Sequence, residues 1–223
     1  MKKVICALSS VILVFSVAYA AELTQANIDD LKKYEIMVGD PDGNMRLGDS
    51  IKRAEFAKMI CKVMGVTTTT SACTFNDVPE GHWATGYIAA ANELELMKGD
   101  GAGTFRPDGQ ISYAEAITVI VRAVGYEPMA QQRSGYPFGH ISIAETLGIT
   151  ADIAFDKDAA ATREDVGIMI ARALDTPILE HTSYGSENYY RVLNGINGEV
   201  LETLRTRLEP EEKEEYVPAY DPN

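Results

Sequence analysis

The chain has 223 residues, 46% hydrophobic and 24% charged, an ordinary globular composition that excludes collagen-like, fully disordered and multi-spanning membrane classes. Its 33 Asp and Glu against 20 Lys and Arg leave a formal net charge of -13. So acidic a surface repels a phosphate backbone, and nucleic acid is not an expected partner.

The stretch Val4–Val17 is nearly all apolar, with Lys2 and Lys3 before it and Ala18-Tyr19-Ala20 after it. A basic start, a greasy core and a small-x-small exit read as a secretory signal peptide, residues 1–20, cleaved after Ala20. A core of about 14 residues is too short to span a bilayer comfortably, so no membrane contact is expected after cleavage. Cys6 sits early in that core rather than at its exit, which does not suit a lipidated cysteine. Loss of the two lysines moves the charge from -13 to -15. An exported chain is free to oxidise Cys61 and Cys73. The intervening Thr67–Ser71 stretch could fold back to join them; the alternative is two separate thiols, one packed in a helix.

Laid against itself at an offset of 60, the chain matches without a gap: Ile28, Met37, Gly39, Asp40, Gly43, Arg46, Ile51, Ala54, Glu55, Ile60 and Gly65 meet Ile88, Met97, Gly99, Asp100, Gly103, Arg106, Ile111, Ala114, Glu115, Ile120 and Gly125. A further offset of 50 brings in a shorter third copy. The second helix of each copy carries one apolar stripe at i, i+3, i+4, i+7, i+8: Phe56, Met59, Ile60, Val63 and Met64; then Ala116, Val119, Ile120, Ala123 and Val124; then Val166, Met169, Ile170, Ala173 and Leu174. Earlier helices are predicted over Thr24–Met37, Ala84–Met97 and His140–Leu147, each followed by a polar loop rich in Gly or Asp. One such helix pair cannot bury both its stripes, whereas three pairs can share a core. The predicted fold is all-α, a pseudo-threefold bundle of three helix–loop–helix copies at 21–66, 75–126 and 135–176, followed by a tail over 177–223. In the tail, Tyr189–Leu193 and Glu199–Leu204 read as a hairpin around an Asn-Gly turn, and Glu209–Glu215 as a solvated acidic run.

The loop Asp40-Pro41-Asp42-Gly43-Asn44 does not fit an EF-hand. Its glycine falls at the fourth rather than the sixth position, and the second copy has Gly101 and Ala102 where carboxylates are needed. Turn chemistry explains these residues, and neither a metal nor another cofactor is expected. No phosphate loop, nucleophile elbow or metal-ligand cluster marks an enzyme. At the start of the second helices, Ser112 with Glu115 and Thr162 with Asp165 read as capping boxes. Arg53 and Arg163 stand in the first helical turn, where a cation costs ~0.3–1 kcal/mol against the helix dipole. Their partner is either an acid from another copy or an anionic ligand gripped by the guanidinium and the helix start together. Trp83, the one tryptophan, precedes a helix and suits either packing or sugar stacking.

The stretch Phe75-x-Asp77-Val78, Trp83-Ala84, Ile88, Gly99-Asp100-Gly101-x-Gly103-Thr104-Phe105-x-Pro107-Asp108, Ile111-x-x-Ala114-Glu115 resembles the S-layer homology repeat. Lys52-Arg53-Ala54-Glu55 and Thr162-Arg163-Glu164-Asp165 are similar to its Thr-Arg-Ala-Glu signature, and the likeness runs over residues 22–176. The resemblance implies an exported, non-catalytic module at the cell surface, within the wall or S-layer of a Gram-positive-type bacterium. Such a module holds secondary cell-wall polysaccharide, often pyruvylated, without a covalent bond; assembly with other envelope proteins is the alternative. Carried over by position, the ligand-binding residues are Arg53, Arg163, Trp83, Gly39 and Gly99. It also implies that Ala at either arginine weakens wall binding while thermal stability holds. Tyr113 stands where the second copy needs the signature arginine, and the third copy lacks both the Trp and the glycine-rich loop, so one or two working grooves are expected.

Overall fold

The computed structural model describes residues 21–66, 72–184, 187–192, 194 and 198–209. The expected signal peptide, the Thr67–Ser71 stretch and the acidic run after Glu209 lie outside these residues. The chain order is α1 (Gln25–Lys33), α2 (Arg53–Val63), α3 (Thr85–Glu93), α4 (Tyr113–Ala123), α5 (Glu127–Gln132), α6 (Phe138–Thr146), α7 (Arg163–Leu174), β1 (Leu179–Tyr184), β2 (Glu187–Val192) and α8 (Leu204–Leu208). The expected all-α repeat bundle with a short irregular tail is what the chain forms.

The three stripes face inward. Every stripe residue of α2, α4 and α7 is buried except Met64, which is partly so. The first helices of copies 1 and 2 are shorter than predicted, whereas that of copy 3 starts two residues earlier and ends one residue earlier. α1 and α3 stop because Glu35 and Glu95 take left-handed conformations, with φ of 54° and 57°. The amides of Ile36 and Met37 then both donate to Leu31 O, and those of Leu96 and Met97 to Ala91 O. In the third copy Gly148 makes the turn, and Ile149 N–H donates to Ala144 O. Such a C-terminal turn satisfies orphan carbonyls and swings the next apolar residue, here Ile36, Leu96 or Ile149, back into the core.

The copies exchange partners around a ring. α2 packs on α3, α4 on α6, and α7 on α1, so the second helix of each copy lies against the first helix of the next. At the centre three buried backbone groups hydrogen-bond in a cycle: Ile51 N–H to Ala161 O (3.1 Å), Ala161 N–H to Ile111 O (2.9 Å) and Ile111 N–H to Ile51 O (3.0 Å). The helix starts are consumed in the same way. Arg53 and Ala54 donate their amides to Gly109 O and Pro107 O, Tyr113 and Ala114 to Ala159 O and Lys157 O, and Arg163 and Glu164 to Asp49 O and Leu47 O. Two of the orphan amides of each helix thus end on the loop of the neighbouring copy.

The tail departs from expectation in register. Tyr189 and its neighbours pair upstream, in an antiparallel β1–β2 ladder with Leu179 opposite Val192. The expected pairing survives as one bridge between Asn194 and Val200, and residues 195–197 lie outside the described set. The tail also docks on the bundle. Ile178, Leu179 and Leu204 are buried, and Leu179 N–H donates to Val124 O. Arg205 grips Asp175 with Nε and Nη2 (2.6 and 2.9 Å) and Asp30 with Nη1 (2.8 Å), tying α7 to α1. Cys61 and Cys73 are free thiols: Cys61 is buried, its Sγ donates to Tyr87 O, and burial pushes its pKa up to about 11.

α5 is an element the repeat pattern does not contain. Its Glu127 receives Arg122 Nε (2.9 Å), Gln131 Nε2 (2.8 Å) and the ring Nε2 of the fully buried His140 (2.6 Å). Burial alone would raise the pKa of this carboxyl, but the hydrogen bonds from Arg122, His140 and Gln131 outweigh it and hold it at about 2.

Two outcomes are expected. A Cβ at Gly125, where φ is 86°, would sit 2.2 Å from Leu179 O. Gly125→Ala therefore displaces the tail and lowers stability by more than ~1 kcal/mol, read by urea unfolding. Glu127 has a depressed folded-state pKa, so its contribution is complete above 4.5 and is lost as pH falls through about 2. The stability difference between wild type and Glu127→Gln should shrink as pH is lowered across that window.

Candidate ligand-binding site

The ring places the start of each copy's second helix against the loop of the next, and four of the five residues singled out by sequence, Arg53, Gly99, Arg163 and Gly39, fall at two of these junctions. At the first, Arg53 of copy 1 reaches into copy 2. Its Nε donates to Phe105 O (2.7 Å), Nη2 to Lys98 O (3.1 Å) and Nη1 to Glu115 Oε1 (2.9 Å). Its guanidinium also lies 4.8 Å from the Phe105 ring centroid. At the second, Arg163 of copy 3 reaches into copy 1, with Nε donating to Met45 O (2.8 Å) and Nη2 to Val38 O (3.1 Å). The correspondence is positional, since Val38, Met45 and Glu55 stand 60 residues before Lys98, Phe105 and Glu115.

Both arginines are interior residues, 4% and 8% exposed. Burial lowers the pKa of each, and Glu115 opposes this for Arg53, Glu55 for Arg163. Of the two partners the sequence left open, Arg53 has the acid from another copy. Arg163 has no paired carboxylate among the described residues; Glu55, the counterpart of Glu115, keeps the capping bond from the Lys52 amide (2.9 Å) and acts on Arg163 only through its charge. The helix starts are not free to hold an anion, because their first amides are spent on neighbouring loops.

The third junction is closed by a different chemistry. Tyr113 takes the arginine's place, stacks on Phe155 at 5.3 Å between centroids, and donates its hydroxyl to Asp165. Tyr113 is 5% exposed, so no polar group is left facing outward there. The capping boxes differ accordingly. Glu115 reaches back to the Ser112 amide (2.9 Å) while its own amide donates to Ser112 Oγ (3.2 Å). Asp165, one methylene shorter, accepts from the Thr162 and Tyr113 hydroxyls instead.

A cavity of about 250 Å³ opens beside Arg53, lined also by Lys98, Gly99, Glu115, Arg122 and Tyr136. Arg53 and Gly99 thus share one site, whereas Gly39 follows Val38 at the Arg163 junction. Both glycines also have a structural reason. A Cβ at Gly99 would fall 2.5 Å from the Phe75 ring, and one at Gly39 would fall 2.9 Å from the Gly43 backbone. The loop aspartates are turn formers: Asp40 Oδ1 accepts the amides of Asp42 and Asn44, and Asp100 Oδ1 those of Ala102 and Thr104. Asp77 of the Phe-x-Asp-Val opening accepts the amides of Phe105 and Arg106 (2.7 and 2.6 Å), fastening the loop that carries the Arg53 contact.

Trp83 is 57% exposed and packs on His82. Tyr136, missed in the sequence reading, is 56% exposed and is its counterpart in the third copy. Both stand two residues before a first helix, and an offset of 53 aligns Gly86, Ile88, Ala91 and Leu94 with Gly139, Ile141, Ala144 and Leu147. The uniform offset of 50 hides that match, because α5 and the turn after it lengthen the link between the copies. The first junction thus brings one interior arginine, one loop glycine and one exposed aromatic to a single cavity.

The implied stability of the arginine variants does not fit this geometry. Arg53→Ala leaves Glu115 and two carbonyls without their donor, and is expected to cost about 3 kcal/mol in denaturant unfolding. Binding studies therefore call for exposed positions.

Comparison with known proteins gives three related cell-surface sequences. The chain is 31% identical over 167 residues to the Middle cell wall protein of Brevibacillus brevis, covering 73% of this chain and 16% of that protein. It is 26% identical over 199 residues to the Cell surface protein of Thermoanaerobacter kivui, covering 81% of this chain and 26% of the relative. It is 32% identical over 206 residues to the Surface layer protein of Brevibacillus choshinensis, covering 84% and 18% respectively. The chain therefore spans about a quarter or less of the length of these relatives. Residues 24–57 and 74–117, within the first two copies, match the S-layer homology domain family.

Proposed function

We propose that this chain is an exported, non-catalytic anchoring module of the bacterial cell surface. It holds an acidic secondary cell-wall polysaccharide through the junctions between copies, and the third copy is a diverged member of the same repeat. The observation that carries this reading is the cavity at the first junction, where a buried arginine, a loop glycine and an exposed tyrosine converge. The family match over the first two copies and the wall and surface-layer names of the relatives support the compartment and the anchoring role. A pyruvate ketal on the sugar supplies the carboxylate that an arginine fork suits, and the sugar ring supplies the face for an aromatic. Two junctions carry an arginine and the third is plugged by Tyr113, so two grooves serve the ligand. Among the described residues no helix is long and apolar enough to cross a membrane, which suits non-covalent attachment to the wall.

The mature chain is expected to sediment with bacterial cell walls that retain their polysaccharide and to stay in the supernatant once the polysaccharide is stripped. Equal retention on both preparations would overturn this reading in favour of peptidoglycan or an envelope protein as the partner.

A further inference from the structure

We propose that Arg122 is a second cation of the Arg53 cavity, held in place by Glu127 and His140, and that helix α5, inserted in the link between copies 2 and 3, builds this arrangement. The inference rests on the anchoring reading above and names the groups that select the acidic sugar.

The three copies share a basic residue near the end of the second helix: Lys62, Arg122 and Arg172. In the third copy its task is structural. Arg172 Nη1 donates to Ile149 O (3.1 Å) and Ala151 O (2.7 Å), carbonyls just past the first helix. Lys62 in the first copy pairs with Glu35 (2.6 Å). Arg122 keeps the structural bond, Nη1 to Leu96 O (3.0 Å), but adds a contact the others lack, Nε to Glu127 (2.9 Å). Among the described residues its Nη2 has no hydrogen-bond partner, and the residue lines the cavity. A guanidinium clamped at Nε and Nη1 beside a cavity keeps its unspent donors on a fixed side chain, so little rotamer freedom is lost on binding.

Glu127 is a product of the insertion. It opens α5, and Pro128 behind it suits the first turn of a helix. His140 holds it from the other side. Because the carboxylate can only accept, ring Nε2 carries a proton and donates, while the buried Nδ1 has no partner among the described residues. A fully buried histidine with one unsatisfied nitrogen is costly in a purely structural setting. Fixing the face of Glu127 toward Arg122 accounts for it, much as outer partners orient a metal ligand. Gly139 permits the close approach, since a Cβ there would meet Ala130 O of α5 at 2.1 Å. The ring of Tyr136, across the cavity, packs edge-on against His140 at 6.5 Å between centroids, so one histidine supports both walls.

Glu115 at the cavity wall already receives Arg53 and Arg106 (2.9 and 3.1 Å). An incoming carboxylate therefore finds the charge of Arg53 partly matched, and the open donor of Arg122 supplies the stronger new bond.

The test is calorimetric titration of the mature chain with a hexoside bearing a pyruvate ketal, alongside the same hexoside without it. Wild type is expected to bind only the ketal form. Arg122→Gln and Glu127→Gln should each weaken it at least tenfold, and the double variant should be no weaker than Arg122→Gln alone. Tyr136→Ala, at an exposed position, should cost at least fivefold, while Phe138→Ala, exposed but outside the cavity lining, should leave affinity unchanged. Independent, additive losses at Arg122 and Glu127 would make Glu127 a merely structural residue and overturn the positioning role. Unaltered affinity in both Arg122→Gln and Tyr136→Ala, with wild type binding, would overturn this inference and leave the anchoring reading intact. Failure of wild type to bind the ketal sugar would overturn both.

Discussion

Three backbone hydrogen bonds around the pseudo-threefold axis, linking Ile51, Ala161 and Ile111 in a closed cycle, hold the register of everything else. They lie in a dry core, where an unmet amide or carbonyl costs about 1–3 kcal/mol, so no copy can slip against another without exposing a defect at the centre. From that cycle the chain runs outward into each second helix. Its first amides are met by the neighbouring copy's loop rather than by water or a ligand. The position next to the cycle, occupied by Arg53, Tyr113 and Arg163, is thereby delivered to the boundary between copies.

One repeated position has accordingly diverged into three kinds of contact. Arg53 is neutralised by Glu115 and faces a cavity, Arg163 is held by carbonyls alone, and Tyr113 replaces charge with a stacked ring and a phenol–carboxylate bond. The scaffold tolerates all three because the backbone bonds that position the residue do not depend on its side chain. The side chain at that position can then differ between copies, provided each one meets the polar groups that its own junction buries.

The fold was legible because apolar spacing reports burial directly: the stripes of α2, α4 and α7 face the core as their period requires. The ends of the first helices were not, since Glu35 and Glu95 are poor candidates for positive φ and nothing local announces their turns. The exchange of helix partners between copies was also hidden, because a stripe says that a face is covered but not by which neighbour. At the site, Arg53 and Gly99 came from the resemblance to the S-layer homology repeat, whereas Tyr136 was obscured by the length of the α5 insertion. Arg122 read as an ordinary cation at a helix end. Only the spatial meeting of Glu127, His140 and the cavity distinguishes it from Arg172.

The pairing of α1 with α7 has a consequence for how the molecule assembles. Gly167 approaches Leu31, a residue 136 positions earlier, with a Cβ there falling 3.3 Å from the leucine side chain. α1 and α7 stand at opposite ends of the three-copy array, so the contact that buries Leu31 spans the greatest length of chain among the three helix pairings. The Arg163 junction joins the same two copies, the first and the third. Of the two arginine junctions, it is the one whose existence reports that the whole ring has closed.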